Sequence, residues 1–497
     1  MKIRKSTITW IALITGLTAN TFAGLNWNIA IAAWIAPIFL LYYSKNVKWP
    51  GIILLFIGMA FCAAISKTAE NLSGLFIIYI TTGLSYGIIN TLPFIIEKLL
   101  ITRENRFYST LIFPSSVVCI EYLLSLGIGI WGNPSIAQYN HLDLIQITSL
   151  VGIYGISFLV AWLASVVNWM IVNGFEKKCV QKGPVIYVIV FVAIVLYGGI
   201  RTRICPPGSE TVKVAAVISD TDIHEVFHTW QEDFFELSKD YELEIPDAVF
   251  SSTRAIESQI RLTDEALNSG ARIVVWNEIA LILKQDQRDS LLRRIGKLCE
   301  KHNAYVLTAF LEKNHGALPK PFDNKSVLVT PDGEIAWTYL KSYPTPIEKL
   351  VINRGEASIP FIDTEYGRVG NAICADIDQP RYMSQAGKNN IDILLVPAFD
   401  WEEIIPYHSN MAAFTAVQYG VSLVRSNGKG IVASYDYQGN TLAKANTLLA
   451  DSKIHLAEIP VKSSSTVYSV IGDSFVYLLI LFLLFTLGLR LTGNKKG

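Results

Sequence analysis

Long apolar runs fill about the first 200 positions of this chain and return once, near residues 475–489. A run of about 20 apolar residues is what a helix needs to cross the hydrocarbon core, and inside that core every backbone N–H and C=O must be satisfied within the segment. This end of the chain is therefore restricted to a bundle of membrane-spanning helices. Spans are expected at roughly 7–23, 27–44, 50–66, 74–96, 110–131, 147–173 and 184–200, with an eighth at roughly 467–489. Across all 497 residues, 51% are apolar and only 17% charged, too apolar for a soluble protein of this size. The middle of the chain differs. It is rich in Asp, Glu, Lys and Asn and long enough for one globular domain with its own core. The expected organisation is a membrane domain of about seven helices over 1–203, a folded domain over 204–465, and a closing helix with a basic tail over 466–497.

Basic residues set the orientation. Lys2, Arg4 and Lys5, then Lys45 and Lys48, then Lys98, Arg103 and Arg106, then Lys177, Lys178 and Lys182 fall on alternate loops, while the intervening short loops carry only Lys67. Positive charge accumulates on the cytoplasmic side, so the N-terminus is expected inside and the middle domain outside. The last span then returns Arg490, Lys495 and Lys496 to the cytoplasm. The formal net charge is zero, which gives no case for nucleic-acid binding. The first span resembles a signal peptide in its basic start, but six further spans follow at once, so it reads as an uncleaved helix.

The middle domain alternates strand-like and helix-like stretches, the pattern of an α/β layered fold. Strands are expected at 212–218, 273–276, 305–310, 358–363, 369–373, 391–396, 422–426 and 430–435, and a hairpin at 325–339 turns on Asp332-Gly333. Helices are expected at 257–268, 287–301, 380–388 and 410–419. Glu278, Lys341 and Cys374 each end an apolar strand-like run, and strand ends are where such folds place reactive groups. A thiol must become a thiolate to attack. A nearby carboxylate can take its proton and later return it to a leaving group, and a lysine favours the thiolate and steadies an oxyanion. Taken singly, a Glu at a strand end is usually a solvated edge residue, and a Cys after an apolar run is usually core filler. Cys299, in a helix-like stretch, reads as filler. The other cysteines lie in spans (Cys62, Cys119), in a loop (Cys179) or at the membrane edge (Cys205), without metal-ligand or disulfide spacing. No metal, no cofactor and no phosphate loop is expected.

The trio stands within longer words. Trp276-Asn277-Glu278 resembles the Trp-Pro-Glu signature of the nitrilase, or carbon–nitrogen hydrolase, superfamily. Tyr339-Leu340-Lys341 resembles its lysine motif and Ile373-Cys374-Ala375-Asp376 its cysteine motif. In the apolar region, Gln146 with Leu150–Leu159, and Pro114 with Glu121, resemble spans of the apolipoprotein N-acyltransferase family, the membrane branch of that superfamily. The resemblance implies an αββα sandwich with Glu278, Lys341 and Cys374 as its catalytic triad. It implies transfer of a fatty acyl group from a phospholipid, through a Cys thioester, to the N-terminal amine of a diacylglyceryl lipoprotein. Phospholipid donor, lipoprotein acceptor and lipid bilayer are the expected partners. The expected place is a bacterial cytoplasmic membrane, with the catalytic domain on the outer face. Glu348 is the candidate for the family's second glutamate. Trp401, His408 and Arg425 are candidates for lining the pocket, against readings as a core aromatic, a loop histidine and a structural ion pair. Asn277 stands where proline is usual, Ala375 where an aromatic is common, and the stretch from Lys341 to Cys374 is short for the family. Other readings stay open: a membrane-tethered amidase that hydrolyses its thioester, an N-acyltransferase acting on another membrane amine, and a transporter or binding protein with an inert domain.

Overall fold

A computed structural model of the chain describes residues 5–25, 27–66, 76–101, 106–174, 178–208, 210–220, 245, 247–314 and 319–493. Among the charged residues that set the expected orientation, Lys2, Arg4, Lys67, Arg103, Lys177, Lys495 and Lys496 lie outside these. The chain divides into two units, Met1–Pro206 with Val470–Gly497, and Pro207–Ser469.

The first unit is helical. Its long helices are α1 (Lys5–Ala23), α2 (Ala30–Asn46), α3 (Trp49–Ser66), α4 (Phe76–Leu100), α5 (Ile112–Ile128), α6 (Tyr154–Asn173), α7 (Lys178–Arg203) and, from the C-terminal segment, α12 (Ser474–Gly493). Five helical stretches among the described residues are long and apolar enough to cross a membrane: Trp49–Ser66, Phe107–Ile128, Tyr154–Asn173, Lys182–Arg203 and Ser474–Thr492. Their outward faces carry exposed Ile53, Ile57, Phe61, Val185, Ile189, Leu196, Leu481 and Phe485. Such a surface is stable against lipid and costly against water. Helices approach closely where residues are small. A Cβ on Gly87 of α4 would stand 2.6 Å from the Ala60 Cβ of α3, the small-residue contact that packs helices in lipid. The span expected over 147–173 is not one helix. A short turn, Thr148–Val151, ends at Gly152 with φ +72°, and α6 starts again at Tyr154. Gly152 takes the left-handed backbone that a side chain resists.

The second unit is two sheets between two layers of helices. One sheet runs β13-β1-β2-β4-β5-β6, with β3 paired to β4; the other runs β12-β11-β10-β9-β8-β7. The strands are β1 (Thr211–Val217), β2 (Ile273–Trp276), β3 (Leu281–Leu283), β4 (Tyr305–Lys313), β5 (Phe322–Val329), β6 (Ile335–Leu340), β7 (Phe361–Thr364), β8 (Gly367–Asn371), β9 (Ile393–Ala398), β10 (Ser422–Asn427), β11 (Ile431–Tyr435), β12 (Thr441–Asn446) and β13 (Ile454–Pro460). Side chains alternate across each strand. Ile273 and Val275 of β2 meet Ile393 and Leu395 of β9 in the core between the sheets. Val274 and Trp276 face outward among residues of α8 (Thr253–Asn268) and α9 (Gln285–His302). On the far side, Leu394 and Val396 pack with residues of α10 (Pro380–Lys388) and α11 (Tyr407–Tyr419). This is the αββα sandwich.

Pairing directions position the site. β1, β2 and β4 are mutually parallel. β5 is antiparallel to β4 and β6 antiparallel to β5, so β6 runs the same way as β2. β8, β9 and β10 are parallel in the other sheet. The ends of β2 and β6 therefore open at one edge of the first sheet. The Glu278 N–H donates to Ala398 O at the end of β9, at 3.2 Å, which ties the two sheets together at that edge.

Candidate active site

Glu278 lies two residues past β2. Its neighbour Asn277 uses a side-chain oxygen to accept the Ser219 N–H at 2.8 Å and its amide to donate to Glu278 O at 3.0 Å. An amide thus pins the turn where proline is usual, by hydrogen bonds instead of a locked φ. Lys341 directly follows β6, and its N–H donates to Asn324 O of β5 at 2.9 Å.

The Lys341 ammonium donates to Glu278 Oε1 at 2.7 Å and to both oxygens of Glu348, at 2.9 and 2.8 Å. Asn324 Nδ2 donates to Glu278 Oε1 at 2.8 Å and to Glu348 Oε1 at 3.3 Å. Glu348 also accepts from the Thr345 N–H. Lys341 and Glu278 are fully buried and Glu348 partly so. One ammonium thus faces two carboxylates. Burial opposes the lysine's charge, but Glu278 and Glu348 together raise its pKa well above the ordinary lysine range. Glu348, gripped through both oxygens by Lys341, is held below the usual carboxylate range in spite of burial. The excess negative charge falls on Glu278, whose pKa is raised by burial and further by Glu348, against the pull of Lys341.

Cys374 lies three residues past β8, at the head of a 3-10 turn, Cys374–Asp378, and takes φ +47°. A non-glycine residue with that backbone is held by its surroundings, and such outliers gather at functional sites. Asp376 supplies part of the hold. Its carboxylate accepts the Ile373 and Tyr343 N–H groups, at 2.9 and 2.7 Å, and the Tyr339 hydroxyl at 2.7 Å. Burial lifts Asp376 to about 6 against these donors. The Cys374 thiol is buried, and its pKa is pushed up by burial and Glu278, opposed by Lys341.

His408 and Arg425 join a second buried group. Arg425 donates to both oxygens of Asp400, at 2.8 and 2.7 Å, and Asn427 Nδ2 donates to Asp400 Oδ2 at 2.7 Å. His408 Nδ1 lies 2.7 Å from Asp400 Oδ1, and Nε2 lies 3.2 Å from Asp378 Oδ1. Trp401 is half-buried at the head of the short turn Glu402–Ile404. Donor atoms of Cys374, Asp400 and His408 lie within 4.8 Å of one another, close enough for a metal ion. Both arms of Arg425 already hold Asp400, however, so a metal cation would have to compete with a buried guanidinium. The fold thus brings Glu278, Lys341 and Glu348 together and gathers His408 and Arg425 near Cys374. Asn324, Asp376, Asp378, Asp400 and Asn427 were not singled out as site residues from sequence. Asp376 and Asp378 sit two and four residues past Cys374, and that proximity was the available signal.

Residues 249–466 match the family model for carbon-nitrogen hydrolase, and residues 15–166 match that for the apolipoprotein N-acyltransferase N-terminal domain. The chain is 28% identical over 417 residues to an apolipoprotein N-acyltransferase of Geobacter metallireducens, covering 78% of this chain and 75% of that protein. It is 26% identical over 526 residues to apolipoprotein N-acyltransferase 1 of Treponema denticola, covering 96% and 94%. It is also 27% identical over 111 residues to nitrilase 3 of Arabidopsis thaliana, but across only 22% of this chain and 31% of that protein. The nitrilase similarity is confined to a part, whereas similarity to the acyltransferases runs through helical unit and sandwich alike, and the chain belongs to the apolipoprotein N-acyltransferase family within the carbon–nitrogen hydrolase superfamily.

Proposed function

We propose that this protein moves a fatty acyl group from a phospholipid to the N-terminal amine of a diacylglyceryl lipoprotein, with Cys374 as nucleophile, Glu278 as proton carrier and Lys341 as the cation of the site. The observation that carries the assignment of roles is the single ammonium shared between two carboxylates, the buried Glu278 and the partly buried Glu348. It leaves Glu278 with a greater affinity for a proton than an ordinary carboxylate has, so that it can take one up and release it, while Glu348 is held in its ionised form and fixes Lys341.

Glu278 takes the Cys374 S–H proton as the sulfur attacks the ester carbonyl of the phospholipid. The C–O bond breaks, and Glu278 returns the proton to the departing lysophospholipid oxygen. The lipoprotein amine then attacks the thioester carbonyl and gives a proton to Glu278. The C–S bond breaks, the amide forms, and the proton returns to sulfur. Lys341 offsets the negative charge on oxygen in both tetrahedral intermediates. Both substrates are lipid-anchored, which is the physical reason for a site tethered to membrane helices. On this reading the sandwich lies on the outer face of a bacterial cytoplasmic membrane.

Purified protein incubated with labelled phospholipid and a diacylglyceryl-cysteine peptide tests this. N-acylated peptide and lysophospholipid are expected, and both vanish in Cys374→Ser. Free fatty acid with no acyl-peptide would replace this reading by the hydrolase.

A further inference from the structure

The group around His408 has a charge problem that hydrogen bonding alone does not solve. Glu278, Glu348, Asp376, Asp378 and Asp400 bring five carboxylates to the neighbourhood of Cys374, of which Asp376 is met by neutral N–H and O–H donors, against two permanent cations, Lys341 and Arg425. Lys341 is committed to Glu278 and Glu348, and Arg425 is bidentate on Asp400. Asp378 is only 5% exposed, and among the described residues its hydrogen-bonding partner is the His408 ring. A buried carboxylate without a cation is costly, and a thiolate added beside it is costlier.

The imidazole geometry identifies the missing cation. His408 Nδ1 lies 2.7 Å from Asp400 Oδ1, closer than two lone pairs can approach, so Nδ1 carries hydrogen. Arg425 Nη2 lies 2.9 Å from the same nitrogen, but it also donates to Asp400 Oδ1 at 2.7 Å, so both donors converge on one oxygen. His408 Nε2 then faces Asp378 Oδ1 at 3.2 Å, a contact that also needs a proton. A neutral ring has one N–H; a ring that donates on both sides is an imidazolium.

We propose that His408, clamped between Asp378 and Asp400, is a fixed imidazolium that supplies the positive charge Cys374 needs in order to ionise. It is a positioning and charge-setting residue: the thiol proton still passes to Glu278, and His408 keeps its own. The clamp agrees with the direction of titration. Burial works against a charged ring, yet Asp378 and Asp400 outweigh it and lift His408 to about 9, with Arg425 opposing. The groups facing the thiol from the other elements are Glu278, Lys341, Asp400 and Arg425. This inference rests on Cys374 being the nucleophile but not on the identity of donor or acceptor.

The test is the pH dependence of Cys374 alkylation by iodoacetamide in the full-length detergent-solubilised protein, which needs neither lipid nor lipoprotein. Cys374→Ser supplies the background from other thiols. Relative to wild type, His408→Gln keeps polar contacts without the charge, and the alkylation midpoint should rise by about one pH unit, roughly tenfold slower at pH 7. His408→Lys returns a cation and should recover at least half of that shift. An unchanged midpoint in His408→Gln, or a lysine variant as impaired as the glutamine one, overturns the proposal. Should His408→Gln fail to fold, His408→Lys is read against wild type: a midpoint within half a unit supports it, and a rise of a full unit overturns it. Loss of acyl transfer in wild type with the alkylation pattern intact would strike the substrate reading alone.

Discussion

Glu348 sits seven residues beyond Lys341, one short of the family spacing, yet its carboxylate reaches the ammonium through both oxygens. A loop can absorb one residue because the contact depends on where the side chain ends, not on the register of a strand. The charge sharing makes a prediction. Glu348→Gln removes one of two anions around Lys341, so Glu278 is pulled harder by the remaining cation and its raised pKa falls. The acid limb of the kcat/KM–pH profile should move to lower pH, and kcat should drop about 10- to 100-fold because a weaker base is left. A limb that stays in place would mean Glu348 does not load charge onto Glu278. The His408 and Asp400 pair sets a second pH dependence. The folded state lifts His408 to about 9 from 6.5, so its contribution is complete below pH 6.5 and is lost as pH rises through about 9. Asp400 is held far below its ordinary value, against burial, by Arg425 and His408, so its contribution is present above about pH 4 and lost only in acid. The thermal midpoint of the full chain should therefore decline between pH 6.5 and 9, by no more than roughly 3 kcal/mol of stability from His408, and His408→Gln should flatten that decline.

At the scale of elements, legibility followed the strength of local signals. Strand β2 and helix α10 coincide with the expected 273–276 and 380–388, because a four-residue apolar run and a proline at the helix start leave little choice of boundary. Strands β3, β12 and β13 were not legible. β3 is three residues long, and β12 is a half-exposed edge with little alternation. β13 is defined by its antiparallel pairing with β1, some 240 residues earlier, which no local pattern announces. Cys374 was placed at a strand end, but β8 stops at Asn371, and the positive φ that carries the thiol into its turn is a tertiary constraint. The site pairs follow the same rule. Lys341 and Glu348 were readable as neighbours in sequence, whereas the partners Asp378, Asp400 and Asn324 come from three elements that meet only in the fold. Helix α11, whose first turn holds His408, ends at Gly420 with φ +71°, where an added Cβ would lie 1.8 Å from Ser464 O. Gly420→Ala should cost about 2–4 kcal/mol, from the left-handed backbone and a backbone clash together. Gly208→Ala, with nothing within 4 Å of the added Cβ, should be near neutral in the same denaturation measurement.

Across the whole molecule, the helical character of the first unit and the αββα layers follow from periodicities the sequence displays over long windows, which is why they were readable when the site's partners were not. The helical unit also holds a geometric argument about sidedness. Lys98, near the end of α4, donates to Ser44 O and Val47 O at the end of α2, and Lys45 pairs with Glu97 at 2.9 Å. The C-terminal ends of α2 and α4 therefore share one side of the bundle. The start of α2 is bound elsewhere: Gln138 donates to Ala30 O and accepts from the Trp34 indole. In the segment after Gln138, Asp143 pairs with Arg203 and Gln146 accepts from Arg201, both at the end of α7. The opposite side thus gathers the start of α2, the end of α5 and the end of α7. If the lysine side is cytoplasmic, as the alternation of basic loops implies, the end of α7 is external and so is exposed Cys205, two residues past Arg203. Cys62, Cys119, Cys299 and Cys374 are buried, so an impermeant maleimide added to intact spheroplasts should label Cys205, and Cys205→Ser should remove that label. Labelling of Cys205 only after the membrane is opened would invert the topology and place the sandwich, with its thiol, on the cytoplasmic face, where the lipoprotein amine would have to be met before export.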